Sequence, residues 1–294
     1  MDLPLQKLTP TYHREPYAAI SPLRPELSQA GKTVLITGGG GGIGYATARA
    51  FVAAHAKKII IVGRRAEVIA RAASTLAKEA DPQTQVVGWA CDVGNRGAVG
   101  ELWGRVAGEK EVVDVLVLNA ANLPPHESVL EIGTERVWTT YDFNVRAQMD
   151  MAERFYKQGG EGRKYLVHVS TMAIHAWRVA TSYPAYGMTK NAGALALQTI
   201  AQDVPVEKMQ VLSFHPGAIF TEGAENNGLT KDSYHWDDTN LPAHYAVWAA
   251  TPEAAFLHGR FTWAHWDVDE LKSGEARRRI DEDPEYLKIG VNGL

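Results

Sequence analysis

Residues 34–46 read Val-Leu-Ile-Thr-Gly-Gly-Gly-Gly-Gly-Ile-Gly-Tyr-Ala, and this stretch decides the fold. A short aliphatic run enters the glycines, and an Ala-rich segment of helical period leaves them. A glycine run by itself is what a flexible linker looks like. Its flanks argue otherwise, because strand, glycine turn and helix together let backbone approach a pyrophosphate closely. The phosphate charge then rests on the free N–H groups of the helix's first turn. Gly39, Gly41 and Gly44 satisfy G-x-G-x-x-G, and no Lys-Ser/Thr follows, which argues against a nucleotide-hydrolase phosphate loop. The segment is read as a dinucleotide-binding turn.

Working outward, aliphatic runs at Val34–Ile36, Ile59–Val62, Val86–Trp89, Val112–Leu118, Tyr165–Val169 and Val211–Phe214 read as buried strands. Between them Ala46–His55, Glu67–Glu79 and Asn191–Asp203 carry apolar residues at three- and four-residue spacing. This alternation predicts an α/β fold, a single doubly wound Rossmann domain with a mostly parallel sheet and helices on both faces. Residues 1–30 hold five of the 14 prolines, so they read as an N-terminal arm, lying along the domain or partly disordered, ahead of a domain spanning 31–294. Residues 222–245 lack periodicity and follow a strand, which marks a substrate-lid candidate. The tail from Asp267 is charge-rich and reads as helical over Glu275–Asp281.

Net charge is −4 over 294 residues, which speaks against a nucleic-acid or membrane-surface binder. No apolar run is long enough to cross a bilayer. The single cysteine, Cys91, cannot pair within the chain, and no secretory leader is recognised, so the expected setting is cytoplasmic. The second strand ends Val62-Gly63-Arg64-Arg65, where an acid would bond the ribose hydroxyls and repel a 2′-phosphate. A guanidinium there can hold a phosphate bidentately, so NADP(H) is the expected cofactor, with Arg64 its selector.

Tyr186 and Lys190 stand four residues apart on one helix face, beyond the polar strand end Ser170-Thr171. A free phenol titrates near pH 10, so proton transfer at neutral pH needs help from a neighbouring cation. At this point the chain resembles the short-chain dehydrogenase/reductase family over residues 31–265, with a C-terminal stretch similar to fungal members. The resemblance is carried by Thr37-Gly38-x-x-x-Gly42-x-Gly44, Asp92, Asn119-Ala120, Asn144, Tyr186-x-x-x-Lys190 and Pro216-Gly217-x-x-x-Thr221.

That resemblance implies an enzyme interconverting a ketone or aldehyde and an alcohol by NADP(H)-dependent hydride transfer. Tyr186 would be proton donor, and Lys190 would lower its pKa and hold the nicotinamide ribose. Asn144 would support a proton relay. Gly38, Gly41, Gly42, Ile43 and Gly44 would cradle the cofactor, and Asp92 and Val93 would meet the adenine. Asn119 and Ala120 would flank it, and Pro216, Gly217, Ile219 and Thr221 would face the nicotinamide. Leu118 and Ala121 depart from the family's N-N-A-G, and the family's serine position falls on Thr171 with Ser170 as neighbour. Two-helix pairing around 131–159 and 184–203 would give a homodimer or homotetramer.

His175, Trp177 and Tyr183, with Tyr234 and Trp236, are aromatic and uncharged, which suits an apolar, secondary-metabolite-like carbonyl or alcohol. Two other classes compete: a non-catalytic NADP(H)-binding sensor or scaffold, and a non-redox lyase or isomerase using the same site. Hydride transfer to a panel of ketones separates all three. No histidine spacing suggests a metal, Asp237-Asp238 reads as a solvated loop, and Arg277–Arg279 followed by acids reads as a salt-laced helix face.

Overall fold

The computed structural model describes residues 8–124, 126–177 and 183–291; the first seven residues of the arm and the last three of the chain lie outside them. Seven strands form one fully parallel sheet in the order β3-β2-β1-β4-β5-β6-β7. They are β1 (Thr33–Thr37), β2 (Lys58–Gly63), β3 (Gln85–Ala90), β4 (Val115–Leu118), β5 (Lys164–Val169), β6 (Met209–His215) and β7 (Phe261–Trp263). The order reverses between β1 and β4, and ligands of open α/β sheets bind in the crevice at such a switch point. The central strands are buried on both faces, which is why they read as continuous aliphatic runs.

Two differences from the sequence reading concern strands. β4 begins at Val115 rather than Val112, because Val113 spends its N–H and C=O on the Gln158 side chain instead of a ladder. The three-residue β7 adds an edge beside β6 that no periodicity announces.

Helices cover both faces: α1 (Gly42–Ala53), α2 (Ala66–Glu79), α3 (Arg96–Gly108), α4 (Val129–Ile132), α5 (Thr134–Tyr141), α6 (Ala147–Lys157) and α7 (Pro184–Asp203). Beyond β6 follow α8 (Glu222–Asn226), α9 (Asn240–Ala249), α10 (Val268–Leu271) and α11 (Gly274–Glu282). One core cluster packs Phe51, Ile59 and Phe214 with Tyr245 and Trp248, another packs Leu35, Trp103 and Phe155, and a small third holds Ile132, Val137 and Ala185. The lid expectation over 222–245 is trimmed at its C-terminal end, since α9 is a buried helix from Leu241 onward. α11 carries the expected ion pairs, Arg277 with Asp281 and Arg278 with Glu275 and Glu282. Trp263 and Trp266 are buried and stack at 6.0 Å.

Residues 8–20 of the arm run along the domain, with an antiparallel bridge from Tyr12 to Trp266 and Ile20 fully buried. Arg24 pairs with Glu253 at 2.9 Å further along.

Candidate active site

The glycine turn is shaped by close packing. A Cβ on Gly44 would press into the Gly38 carbonyl and come 2.6 Å from Asn119 Nδ2, so α1 can cross this close to β1 only with glycine there. Asn119 Nδ2 in turn donates to the carbonyls of Thr37 and Gly38 at 2.9 and 3.3 Å. Thr37 Oγ1 accepts the N–H groups of Asn119 and Ala120 at 2.9 and 3.0 Å, tying β1 to the loop after β4. α1 has no side-chain cap, and a Cβ on its N-cap residue, Gly41, would meet no protein atom. Its first-turn N–H groups are therefore free for an anion.

These elements bound an open cavity of about 540 Å³ at the switch point. Gly38, Gly41, Gly42 and Ile43 line it from the turn, Val93 from the loop after β3, and Asn119 and Ala120 from the loop after β4. Arg64 lines it at the end of β2, and Thr221 from the loop after β6. Asp92 is not among the lining residues; its Oδ1 accepts the Gly94 N–H at 3.0 Å in a tight turn. The sequence reading missed Glu222, whose carboxylate makes a bidentate pair with Arg65 at 2.9 Å and bridges the two walls of the cavity.

On the other side, α5 and α6 are joined by a π-helical turn, Asp142–Arg146, of the kind that recurs at functional sites. It presents Asn144, fully buried, whose Oδ1 accepts Asn122 N–H at 2.7 Å. Its Nδ2 donates to Asn122 O and Thr189 Oγ1 at 2.9 and 3.0 Å. Thr189 Oγ1 donates to Tyr186 O at 3.0 Å, so Asn144 braces the helix turn that carries the tyrosine.

Lys190 is 1% exposed; its Nζ donates to Val169 O at 2.8 Å and to His168 Nε2 at 3.2 Å. With Nε2 accepting, the neutral His168 ring must donate through Nδ1, which meets Ser213 Oγ at 3.1 Å. Burial pulls the Lys190 ammonium down to about 7 and pushes the Tyr186 phenol up to about 12. Burial also holds His168 well below its ordinary value, with the Lys190 charge adding to it. In the free protein, burial by itself holds the Tyr186 phenol above its ordinary value. His168, near the end of β5, thus supplies a side-chain partner to Lys190.

Ser170 is 3% exposed, continues the β5–β6 pairing through its N–H to Phe214 O, and its buried Oγ has no partner among the described residues. Thr171 is more open, and its Oγ1 accepts the Ala173 N–H at 3.2 Å to cap the turn Met172–Ile174. Ile219 is buried in the loop after β6, which also carries Pro216 and Gly217. His175 Nε2 accepts from Trp263 Nε1 at 3.3 Å, and with the half-exposed Trp177 it lines a separate cavity of about 160 Å³ under Leu287–Gly290. Tyr183 packs edge-on to His126 at 5.0 Å, and Trp236 against Phe220 and Tyr234. Among the described residues no group of acids, histidines and cysteine could hold a metal, and no helix is long and apolar enough to cross a membrane.

With this arrangement in view, comparison with known proteins is decisive. The sequence model of the short chain dehydrogenase family matches residues 32–232. The chain is a short-chain dehydrogenase/reductase. The chain is 35% identical over 283 residues to the short chain dehydrogenase/reductase AacuD of Aspergillus aculeatus, covering 96% of both chains. It is 36% identical to nsrO of Aspergillus novofumigatus, again covering 96% of each. Among solved structures of the same fold is a Pseudomonas aeruginosa RhlG/NADP active-site complex, with a TM-score of 0.71 and 20% identity over 82% of this chain and 97% of that one. L-Sorbose reductase from Gluconobacter frateurii, in complex with NADPH and L-sorbose, gives a TM-score of 0.70 at 22% identity over 85% of this chain and all of that one. The family is therefore an oxidoreductase family, and its relatives here include fungal members.

Proposed function

We propose that this short-chain dehydrogenase/reductase is an NADPH-dependent carbonyl reductase acting on an apolar ketone or aldehyde. The observation that carries the reading is the switch-point cavity, which joins an uncapped α1 N-terminus to the Arg64 guanidinium. A dinucleotide carrying a 2′-phosphate fits both features: the pyrophosphate meets free N–H groups and the extra phosphate meets a cation. Gly38, Gly41, Gly42, Ile43, Asn119, Ala120 and Val93 would hold it along this cavity, with Thr221 near the glycine turn. NADP(H) complexes among the structural relatives agree with this choice.

The bound nicotinamide would supply the hydride. Tyr186 then gives its phenol proton to the alkoxide oxygen. A phenol raised to about 12 is protonated at neutral pH, the form required of a donor. Lys190, at about 7, can exchange a proton near neutrality and restore the phenol after turnover. Thr171 is assigned the hydroxyl that bonds the developing alkoxide, because Ser170 is nearly closed off. Asn144 positions the tyrosine turn through Thr189. Soluble cytoplasmic residence and homo-oligomerisation complete the proposal.

The test is calorimetric titration with NADPH and NADH. NADPH should bind more tightly by about ten- to a hundredfold, the worth of a charge-assisted phosphate contact, and Arg64→Ala should remove most of that gap. Equal affinities in the wild type would refute the cofactor assignment.

A further inference from the structure

Asp237 was expected in a solvated loop, and the fold buries it instead, leaving its side chain 3% exposed. Its Oδ2 accepts the Ala218 N–H at 2.8 Å and His265 Nε2–H at 3.0 Å, and its Oδ1 accepts Arg14 Nη1 at 3.0 Å. The backbone doubles the contact, since Asp237 N donates to Ala218 O at 2.8 Å. Gly217 leaves no gap: at φ +102 its Cβ would lie 2.7 Å from Asp237 Oδ2 and 3.0 Å from His265 Nε2. Asp237 therefore clamps the strip after β6 that presents Ile219 and Thr221.

The charge that makes this clamp tolerable comes from the N-terminal arm. Arg14 Nη1 also donates to His235 O at 2.9 Å, and Asp238 N donates to Arg14 O at 2.9 Å. Next to it, His13 N donates to His265 O at 2.8 Å, and Tyr12 stacks on the His265 ring at 4.6 Å. The arm thus grips both neighbours of the loop, more than 200 residues away in sequence. A carboxylate this buried needs a cationic partner, and the Arg14 guanidinium supplies a permanent charge there beside the His265 ring.

We infer that Arg14 and Asp237 are positioning residues, through which the N-terminal arm sets how tightly the nicotinamide half of the cofactor is held. This rests on the reading above that the loop 216–221 faces the nicotinamide. Loss of Arg14 takes the guanidinium away from the Asp237 carboxylate, so the strip carrying Ile219 and Thr221 loosens while the adenosine end, built on Arg64, is untouched.

The two halves can be titrated separately. NADPH probes the whole site, and adenosine 2′,5′-bisphosphate probes only the adenosine end. Arg14→Ala and Asp237→Asn, each checked for a cooperative melt, should bind NADPH about tenfold more weakly, the scale of one charged hydrogen bond, with adenosine 2′,5′-bisphosphate unchanged. Arg14→Lys should recover most of the NADPH affinity. Arg14→Ala that loses both ligands alike, or neither, would overturn the inference, as would failure of Arg14→Lys to rescue. A wild type that binds neither ligand would instead overturn the cofactor reading beneath it.

Discussion

Lys190→Met separates the cost of the buried ammonium from everything else around it. Burial lowers the lysine from 10.5 to about 7, and the side chain is 1% exposed. A shift of that size corresponds to about 5 kcal/mol of destabilisation, present in full below the folded value. Methionine removes this cost and also the donors to Val169 O and His168 Nε2. Two buried acceptors left short cost about 1–3 kcal/mol each, so the net change at one pH can have either sign. The pH dependence has only one sign. As pH rises past 7 the folded lysine releases its proton while the unfolded lysine keeps it to 10.5. The unfolded state then binds more protons, so wild-type stability climbs relative to the variant, by about 2.5 kcal/mol between roughly pH 7.5 and 9.5. The raised phenol of Tyr186 acts oppositely only above its ordinary value near 10, and the lowered His168 acts in the same direction only below its ordinary 6.5, so neither intrudes in that window. Guanidinium unfolding followed by far-ultraviolet circular dichroism at several pH values measures the difference. A gap between the two proteins that stays constant across the window would refute the buried-lysine argument.

Three further outcomes follow from the site. Thr171→Ala should lower turnover about 10²–10³-fold, the usual effect of removing an oxyanion donor, Thr171→Ser should keep most activity, and Ser170→Ala should change little. Steady-state rates showing the reverse order would give the role to Ser170. Gly44→Ala forces a methyl into the Gly38 carbonyl and Asn119 amide, so the melting temperature should fall sharply, by a loss of about 1–3 kcal/mol or more, and an unchanged melt would contradict the packing described. Glu222→Gln removes the competitor for Arg65, so fluorescence titration should show NADPH binding several-fold tighter, with the gain fading at high salt.

The parts of this protein that were legible in sequence are those written in local pattern. β1, the glycine turn and α1 are contiguous, and the close approach that requires glycine at Gly44 lies within that single stretch. The Tyr186–Lys190 pair is likewise one helix turn. What escaped the reading depends on contacts between distant segments. Asp237 looks solvated beside Asp238, and only Arg14 and His265, brought in by the arm and the stretch after β7, make it a buried ion pair. His168 alternates inside an apolar strand and gains its meaning from Lys190 on another element. The π turn at Asp142–Arg146 leaves no trace in the helical period around it, and Glu222 meets Arg65 because the segment after β6 reaches the cavity that the end of β2 also lines.

The central claim, that Tyr186 is the proton donor of an NADPH-dependent carbonyl reduction, is tested most directly by Tyr186→Phe. Loss of NADPH absorbance is followed with a panel of apolar ketones, alongside NADPH titration of the same variant. Removing only the phenol oxygen should abolish turnover that the wild type shows while leaving NADPH affinity within about twofold, since the hydroxyl acts on the substrate and not on cofactor binding. A Tyr186→Phe protein that reduces the same ketone at close to the wild-type rate would contradict the account.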